Sequence, residues 1–311
     1  MSMHFRELAE LALTDGGVTA AEVLSLRGEG WSNGAIDADE ADAMFVLNDQ
    51  LIDSPLEWTD FFVEALSEYV VNGTMPRGYV DDSLADWLME RIDNNGRLDS
   101  MTELELLVRV LEKAIGAPER LRAYALDQIE DAVLIGEGPT RDGGALERGN
   151  VNATEARLLR RLIFAPGSDR PAAVSRREAE MLFRLKDATL SAENAPEWKQ
   201  LFVQGVGNYL QAFGGGDPLT SERAAELESF MNNSAVNIGG FFARMAQSNP
   251  LSGFAGLFGS KPEEVDHDAA VAAEHEVTSI ENAWLQGQID ANGQIDLYDQ
   301  ALLDFLAEEV A

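Results

Sequence analysis

Apolar residues recur along this chain with the spacing of an α-helix. The clearest stripe, at positions i, i+3, i+4, i+7, i+8 and i+11, consists of Trp58, Phe61, Phe62, Ala65, Leu66 and Tyr69. Such spacing makes one face of a helix apolar, and Pro55 just before it favours a helix start. Sustained alternation of apolar and polar residues, which is typical of strands, is not found. The pattern predicts an all-α protein with these aromatic side chains in its core.

Three blocks of sequence occur twice, in the same order. The matched blocks are 40–49 with 178–187, 57–63 with 197–203, and 87–96 with 284–293. Tyr69 and Tyr209 also match at the same offset after the second block. An ordered set of matches indicates a tandem duplication. The sequence therefore predicts two homologous helical halves, 1–137 and 138–311, joined near the Gly- and Pro-containing stretch 136–149.

The second half is the longer one. Its first two blocks lie 138 and 140 residues after their partners, but its third lies 197 residues after, so an insertion of about 57 residues is predicted at about 213–276. The insertion concentrates Gly and large apolar residues, namely Phe241, Phe242, Phe254 and Phe258. Two interpretations remain open: a loop that covers the core, or a segment that binds another protein.

A short loop that leads into a helix occurs six times. Its fullest form is 290–299 (DANGQIDLYD), its twin is 93–99 (DNNGRLD), and the others lie near 15–22, 33–40, 149–155 and 172–178. Glycine permits the positive φ that reverses the chain, and the Asp, Asn, Thr or Ser that follows caps the next helix. An acid three residues beyond the cap either completes a capping box or supplies a ligand to a cation.

This loop resembles the calcium loop of EF-hand proteins, in which Gly is the sixth residue and acids occupy the first, third, fifth, ninth and twelfth places. The resemblance implies calcium as the cofactor. The candidate ligands are Asp290, Asn292, Gln294, Asp296, Asp299, Asp93, Asn95, Asp99, Asp37 and Glu40. The first place holds Gln288 in the 290–299 loop and Arg91 in the 93–99 loop, so neither loop has the full set of acids.

A second resemblance involves the segment 12–22 (ALTDGGVTAAE). It is similar to the TerB-like domains named for tellurite resistance, which carry an Asp-Gly, a spacer, an apolar residue and a Glu four residues further on. This resemblance implies a small helical bundle with an acidic, cation-contacting surface.

Charge and composition limit the partners. The chain has 23 Lys and Arg against 55 Asp and Glu, a formal net charge of −32, so nucleic acid and anionic membrane surfaces are not expected partners. It has no cysteine, which excludes disulfides, thiol nucleophiles and thiolate metal sites. The first 13 residues lack the long apolar core of a signal peptide or anchor, and a cytoplasmic location is expected.

No phosphate-binding glycine loop, nucleophile elbow or dinucleotide fingerprint is present in the sequence. We therefore expect a non-enzymatic protein. One hypothesis is a calcium-responsive or divalent-cation-binding sensor or protein-interaction module. The alternative is a structural or adaptor protein in which the EF-hand-like loops are helix caps and bind no ion. The oligomeric state stays open.

Overall fold

The computed structural model of the chain describes residues 17–30, 35–51, 55–93, 98, 100–141, 149–167, 173–213 and 279–309. These residues form eleven α-helices and one 3-10 helix. The described part contains no β-strand, which confirms the all-α prediction, and Tyr79 and Gly116 form an isolated bridge. The chain divides into two compact units, unit 1 up to Pro171 and unit 2 from Ala172.

Unit 1 is built around a central helix. Its helices are α1 (Ala20–Gly30), α2 (Ala38–Gln50), α3 (Leu56–Asn72), α4 (Asp82–Ile92), α5 (Met101–Lys113), α6 (Glu119–Ile135), a 3-10 turn (Pro139–Arg141) and α7 (Ala153–Ile163). Helix α3 packs along α5 and also contacts α1, α2 and α4. Trp58, Phe61 and Phe62 are completely buried, as the apolar stripe predicts.

Unit 2 is also built around one helix, and fewer helices of it are described. They are α8 (Arg176–Thr189), α9 (Pro196–Phe213), α10 (Ser279–Asp290) and α11 (Leu297–Glu309). Helix α9 packs against both α8 and α11. Trp198 and Phe202 on α9 are completely buried.

Four aromatic rings form a cluster in unit 1. Phe45 packs edge-on against Phe62 and Trp87, with ring centroids 5.2 and 5.6 Å apart. Tyr69 packs edge-on against Trp87 at 5.3 Å. The indole N–H of Trp87 donates to Asp42 Oδ1 at 3.0 Å. Edge-to-face contacts are the favoured geometry for aromatic pairs, because the positive ring edge meets the negative face.

Unit 2 contains a cluster of the same composition and geometry. Phe183 packs edge-on against Phe202 and Trp284, with centroids 5.1 and 5.8 Å apart. Tyr209 contacts Trp284 at 4.7 Å, and the Trp284 indole donates to Glu180 Oε1 at 3.3 Å. All four rings stand at positions that the repeated blocks or their offsets match with the unit 1 rings.

The boundary between the units lies after Pro171, whereas the repeats place it between 137 and 138. Helix α7 follows the predicted boundary but packs on α5 and α6. The guanidinium of Arg161 on α7 donates four hydrogen bonds of 2.6–2.8 Å to Glu105 and Glu112 on α5. Such paired, charged hydrogen bonds are among the stronger polar contacts, and they attach α7 to unit 1.

Several sequence predictions lie outside the described residues. These are Asn95 and Asp99, and the proposed insertion from residue 214 onward, including its four Phe residues. Among the helices that the structure does describe, none is long and apolar enough to cross a membrane.

Candidate functional site

The acids of the repeated loops lie at helix N-termini. At the start of α2, Asp37 Oδ1 accepts from the Glu40 N–H at 2.9 Å, and Glu40 Oε2 accepts from the Asp37 N–H at 3.0 Å. The same reciprocal pairing occurs at four other helices, through Thr19 and Glu22, Asn152 and Glu155, Ser175 and Glu178, and Asp296 and Asp299. Each pair satisfies two backbone N–H groups that the first helical turn leaves without intrahelical partners.

The sixth loop also ends in a cap. Ser100 Oγ accepts from the Glu103 N–H at 3.2 Å at the start of α5. In the same loop, Asp93 terminates the preceding helix, its N–H donating to the Met89 carbonyl at 2.9 Å. All six loops therefore position an acid against the start of a helix, where a negative charge also complements the helix dipole.

The 290–299 loop brings together some of its candidate ligands and separates others. Asn292 Nδ2 donates to Asp296 Oδ2 at 3.2 Å and to Asp187 Oδ1, on α8, at 2.8 Å. The exposed Asp290 instead accepts from Gln286, one turn earlier in its own helix, at 3.2 and 3.3 Å. The exposed Gln294 enters the network through its backbone N–H, which donates to Asn292 Oδ1.

A buried lysine occupies the centre of this acidic group. Lys186, on α8, is completely buried. Its ammonium donates to Asp296 Oδ2 and Asp299 Oδ1, both at 2.8 Å, and forms an ion pair with Asp187 Oδ1 at 3.0 Å. The ammonium also lies 5.3 Å from the ring centroid of Phe183, within the range of a cation–π contact. One positive charge is thus surrounded by three carboxylates.

Burial and charge shift the pKa values in this cluster in different directions. Burial raises the pKa of Asp299 to about 6, against the lowering effect of its hydrogen bond from Lys186. Burial also acts to raise the pKa of Asp296, but hydrogen bonds from Lys186 and the Asp299 backbone hold it below its usual value. Burial acts to lower the pKa of Lys186, yet its hydrogen bonds to Asp296, Asp299 and Asp187 raise it overall. The lysine is therefore charged at neutral pH.

Unit 1 has a neutral residue at the matching position. Asn48 donates through Nδ2 to Glu103 Oε1 at 3.4 Å and accepts through Oδ1 from the Trp58 indole N–H at 3.1 Å. An ammonium has no acceptor to offer. Trp198 matches Trp58, and within the described structure its indole N–H is buried without a hydrogen-bond partner. This is expected, because Lys186 stands where Asn48 supplies the acceptor oxygen in unit 1.

A second buried cation contacts the 149–155 loop. Arg141 donates through Nη2 to Glu155 Oε2 and through Nη1 to Asn150 Oδ1, both at 2.8 Å, and also to the Asn150 carbonyl. Thr140 Oγ1 donates to Glu155 Oε1 at 2.9 Å. Burial raises the pKa of Glu155, which is completely buried, while the Asn152 backbone and Arg141 oppose that effect. In two of the six loops, an internal cation therefore faces the acid that caps the helix.

Lys186 and Arg141 were missed by the sequence analysis because neither lies inside a loop motif. The available signal for Lys186 was a change of residue type within a matched block, where Asn48 becomes Lys186 between Leu and Asp. Over the ranges that the structure describes, no three His, Cys, Asp or Glu side chains are placed to hold a metal ion.

Comparison with known proteins adds no assignment. No protein-family model matches the chain, and neither the curated proteins nor the solved structures contain a significant match.

Proposed function

We propose that this protein is a non-enzymatic helical scaffold or adaptor, whose EF-hand-like loops start helices and whose buried acids are neutralised by its own cations. The observation that carries the proposal is the position of the Lys186 ammonium, 2.8–3.0 Å from three carboxylate oxygens. An external ion entering this group would have to displace a buried charge that is already paired. Removing one partner of a buried ion pair is strongly unfavourable.

The hydrogen bonds that the carboxylate oxygens of Asp296 and Asp299 already accept support this proposal. Asp296 Oδ1 accepts from the N–H groups of Tyr298 and Asp299, and Oδ2 accepts from Lys186 and Asn292. Asp299 Oδ1 accepts from Lys186, and Oδ2 accepts from the Asp296 N–H. All four oxygens thus already have partners, whereas calcium requires six to eight oxygen ligands.

We infer that the two units descend from one duplicated helical element. The inference is supported by the matched sequence blocks and by the two aromatic clusters of equal geometry. In this interpretation the EF-hand-like or TerB-like loop was kept for helix capping, which needs the same residue types as ion binding.

A calcium-responsive module is the second candidate function. It is supported by the net charge of −32, which raises the local cation concentration, and by the exposed carboxylate of Asp290 next to Asn292. This candidate requires a cation to bind beside the Lys186 cluster or at the 93–99 loop.

Isothermal calorimetry with calcium, and with magnesium as the control, separates the two candidates. The scaffold proposal expects no saturable heat from either ion at millimolar concentration. The calcium-responsive candidate expects saturable heat with calcium that Asp290→Ala removes, or Asp93→Ala if the ion binds at the 93–99 loop. Asp39→Ala, which changes an exposed acid on α2, should leave that heat unchanged. Saturable heat with that mutational pattern would overturn the scaffold proposal.

In this proposal, the proposed insertion at about 213–276 carries the adaptor role by binding another protein. Replacing Phe241, Phe242, Phe254 and Phe258 by Ser tests this assignment. If these residues bind a partner, the variant loses partner capture in a pull-down and keeps its melting temperature. If they instead cover the core, the melting temperature falls markedly, because buried aromatic residues contribute about 3–5 kcal/mol each to stability.

A further inference from the structure

In each unit, the helix that follows the third matched block packs against the central helix: α5 packs against α3, and α11 packs against α9. We define packing site 1 as Asn48 and Thr59, which contact Glu103 and Thr102 at the start of α5, together with Trp58, which donates to Asn48. Packing site 2 is Lys186, which binds Asp296 and Asp299 at the start of α11, together with Asp187 beside it and Trp198, which matches Trp58. The two units share one feature of their apolar packing, because the Phe pair of each aromatic cluster has a centroid distance of 5.2 Å in unit 1 and 5.1 Å in unit 2, and interplanar angles of 81° and 84°.

The shared Phe pair does not distinguish α5 from α11, whereas the close approach of Phe305 on α11 to Gly207 on α9, where α3 has Ser67, does. Chain connectivity adds little discrimination for α11, because about 65 residues separate the end of α9 from the start of α10 and the closure entropy of long connections changes slowly with length. Besides that contact, a second property can direct α5 to packing site 1 and α11 to packing site 2.

The polar residues of the two sites supply that discrimination. Packing site 1 offers the neutral amide of Asn48, which donates to the single carboxylate of Glu103. Packing site 2 offers the Lys186 ammonium, which binds the two carboxylates at the start of α11 at 2.8 Å. Packing site 2 thus supplies a cation to the two carboxylates that it receives, whereas packing site 1 supplies an amide to its one carboxylate.

Exchanging the helices would break this match. With α11 on packing site 1, Asp296 and Asp299 would be buried against Asn48 without a cation. With α5 on packing site 2, Lys186 would meet Glu103 in place of Asp299 and Ser100 in place of Asp296. A buried charge without its partner is strongly unfavourable, so the first exchange is penalised most.

We propose that Asn48 and Lys186 are the specificity determinants that direct α5 and α11 to their own packing sites. Buried polar residues are known to select one pairing among similar helices, and similar units within one chain are prone to misassembly. The proposal does not depend on whether any loop binds an ion.

Engineered cysteines can report which helix occupies packing site 1, because the chain has no cysteine of its own. The hydroxyl oxygens of Thr59 and Thr102 lie 3.3 Å apart, so Thr59→Cys with Thr102→Cys reports the native pairing through a disulfide that we call the native crosslink. Tyr298 is the second residue of α11, as Thr102 is the second of α5. Thr59→Cys with Tyr298→Cys therefore reports α11 on packing site 1, through a disulfide that we call the exchange crosslink. Glu57→Cys with Tyr298→Cys measures chance collision.

The decisive full-length variant combines Lys186→Asn, Asp296→Ser and Asp299→Glu, which places Asn at both packing sites and gives α11 the Ser and Glu cap residues of α5. On oxidation of the refolded protein, the otherwise native sequence is expected to form the native crosslink with the first pair of reporter cysteines. With the second pair it should form no exchange crosslink above the chance control. The triple variant is expected to form the exchange crosslink at least tenfold above the chance control, within one chain or between two copies. A triple variant that forms no exchange crosslink above that control overturns the proposal.

Asn48→Lys provides an independent second variant, because it places an ammonium at packing site 1 and leaves α11 unaltered. It is expected to increase the exchange crosslink and to decrease the native crosslink. An unchanged ratio of the two crosslinks would contradict the proposal even if the triple variant failed to fold.

Discussion

Lys186 lies outside the 290–299 loop and donates hydrogen bonds to two of its acids, Asp296 and Asp299. The loop contains the residue types of a calcium site, but its two buried acids accept hydrogen bonds from an ammonium and from backbone N–H groups. Arg141 has the same relation to Glu155 in unit 1. At the scale of single residues, the protein therefore uses internal cations beside acids that cap helices.

Replacing Lys186 by Met keeps the length of the side chain but removes its charge. Three carboxylates would then face one another without a cation. We expect the free energy of unfolding to fall by about 3–5 kcal/mol, the usual cost of breaking a buried ion pair, as measured by urea denaturation. Lys186→Arg, which keeps the charge, serves as the control and should lose less. A Met variant within about 0.5 kcal/mol of the native protein, the range typical of neutral surface changes, would contradict this account.

Asp299 makes a contribution to stability that depends on pH. Its pKa is raised from 3.8 to about 6 on folding, so the folded state binds the proton more tightly than the unfolded state. The resulting stabilisation is complete below about pH 4 and is lost as the pH rises through 6. Asp296, with a lowered pKa, contributes in the opposite sense and loses its stabilisation in acid.

The Asp299→Asn variant tests this pH dependence. Between pH 5 and 7.5 the native protein should lose about 1–1.5 kcal/mol of stability through this one carboxyl group. The variant should lack that contribution, so its stability should change less over the same range in urea titrations at several pH values. Equal pH dependence of the two proteins would show that Asp299 does not titrate there.

At the scale of helices, α9 contains two glycines, Gly205 and Gly207, although glycine has a low helix propensity. A Cβ at Gly205 would lie 2.5 Å from Leu182 Cδ1 of α8, and one at Gly207 would lie 2.6 Å from Phe305 Cε1 of α11. The two glycines therefore allow neighbouring helices to approach α9 on two sides. The aligned residues of α3 are Ala65 and Ser67, both buried.

Gly207→Ala should destabilise the protein although alanine favours the helix. We expect a net loss of up to about 2 kcal/mol, since overpacking costs about 1–3 kcal/mol and the gain in helix propensity is about 1 kcal/mol. Gly287→Ala in α10, where no atom lies within 4 Å of the added Cβ, is the matched control and should stabilise by about 0.5–1 kcal/mol. Thermal denaturation of both variants measures the difference, and stabilisation by both would contradict the close packing at Gly207.

At the scale of the whole molecule, the dominant property is the net charge of −32. Self-repulsion of this size destabilises a compact state, and salt screens it over a Debye length of about 10 Å at 0.1 M. Any added cation is therefore expected to stabilise the protein to some degree without a specific site. A calcium effect is informative only against a control of equal ionic strength.

We expect the melting temperature to rise when sodium chloride is increased from 20 to 500 mM. Calcium chloride at matched ionic strength should raise it no further than magnesium chloride does, because the buried acids are already paired with Lys186 and Arg141. Differential scanning calorimetry in the three salts provides the measurement. An additional, saturable rise with calcium alone would favour a specific ion site, since a ligand that binds only the folded state stabilises it by mass action.

The sequence by itself determined the helices and their starting points. The stripe that contains Trp58 predicts α3, and the Asp37 and Glu40 spacing predicts the cap of α2, because helix periodicity and capping depend on residues within one or two turns. The same local rules indicate which acids are important. They do not distinguish a cap from an ion ligand, because both uses require an oxygen at the same position.

Tertiary structure alone decided which side chains approach the acids of the buried loops. Lys186 lies 110 and 113 residues from Asp296 and Asp299, and no local pattern predicts which side chain will approach from that distance. The attachment of α7 to unit 1 through Arg161 is decided in the same way. Long-range packing places a charge where local spacing leaves it undetermined, because a buried charge is stable only when its partner, however distant in sequence, is packed beside it.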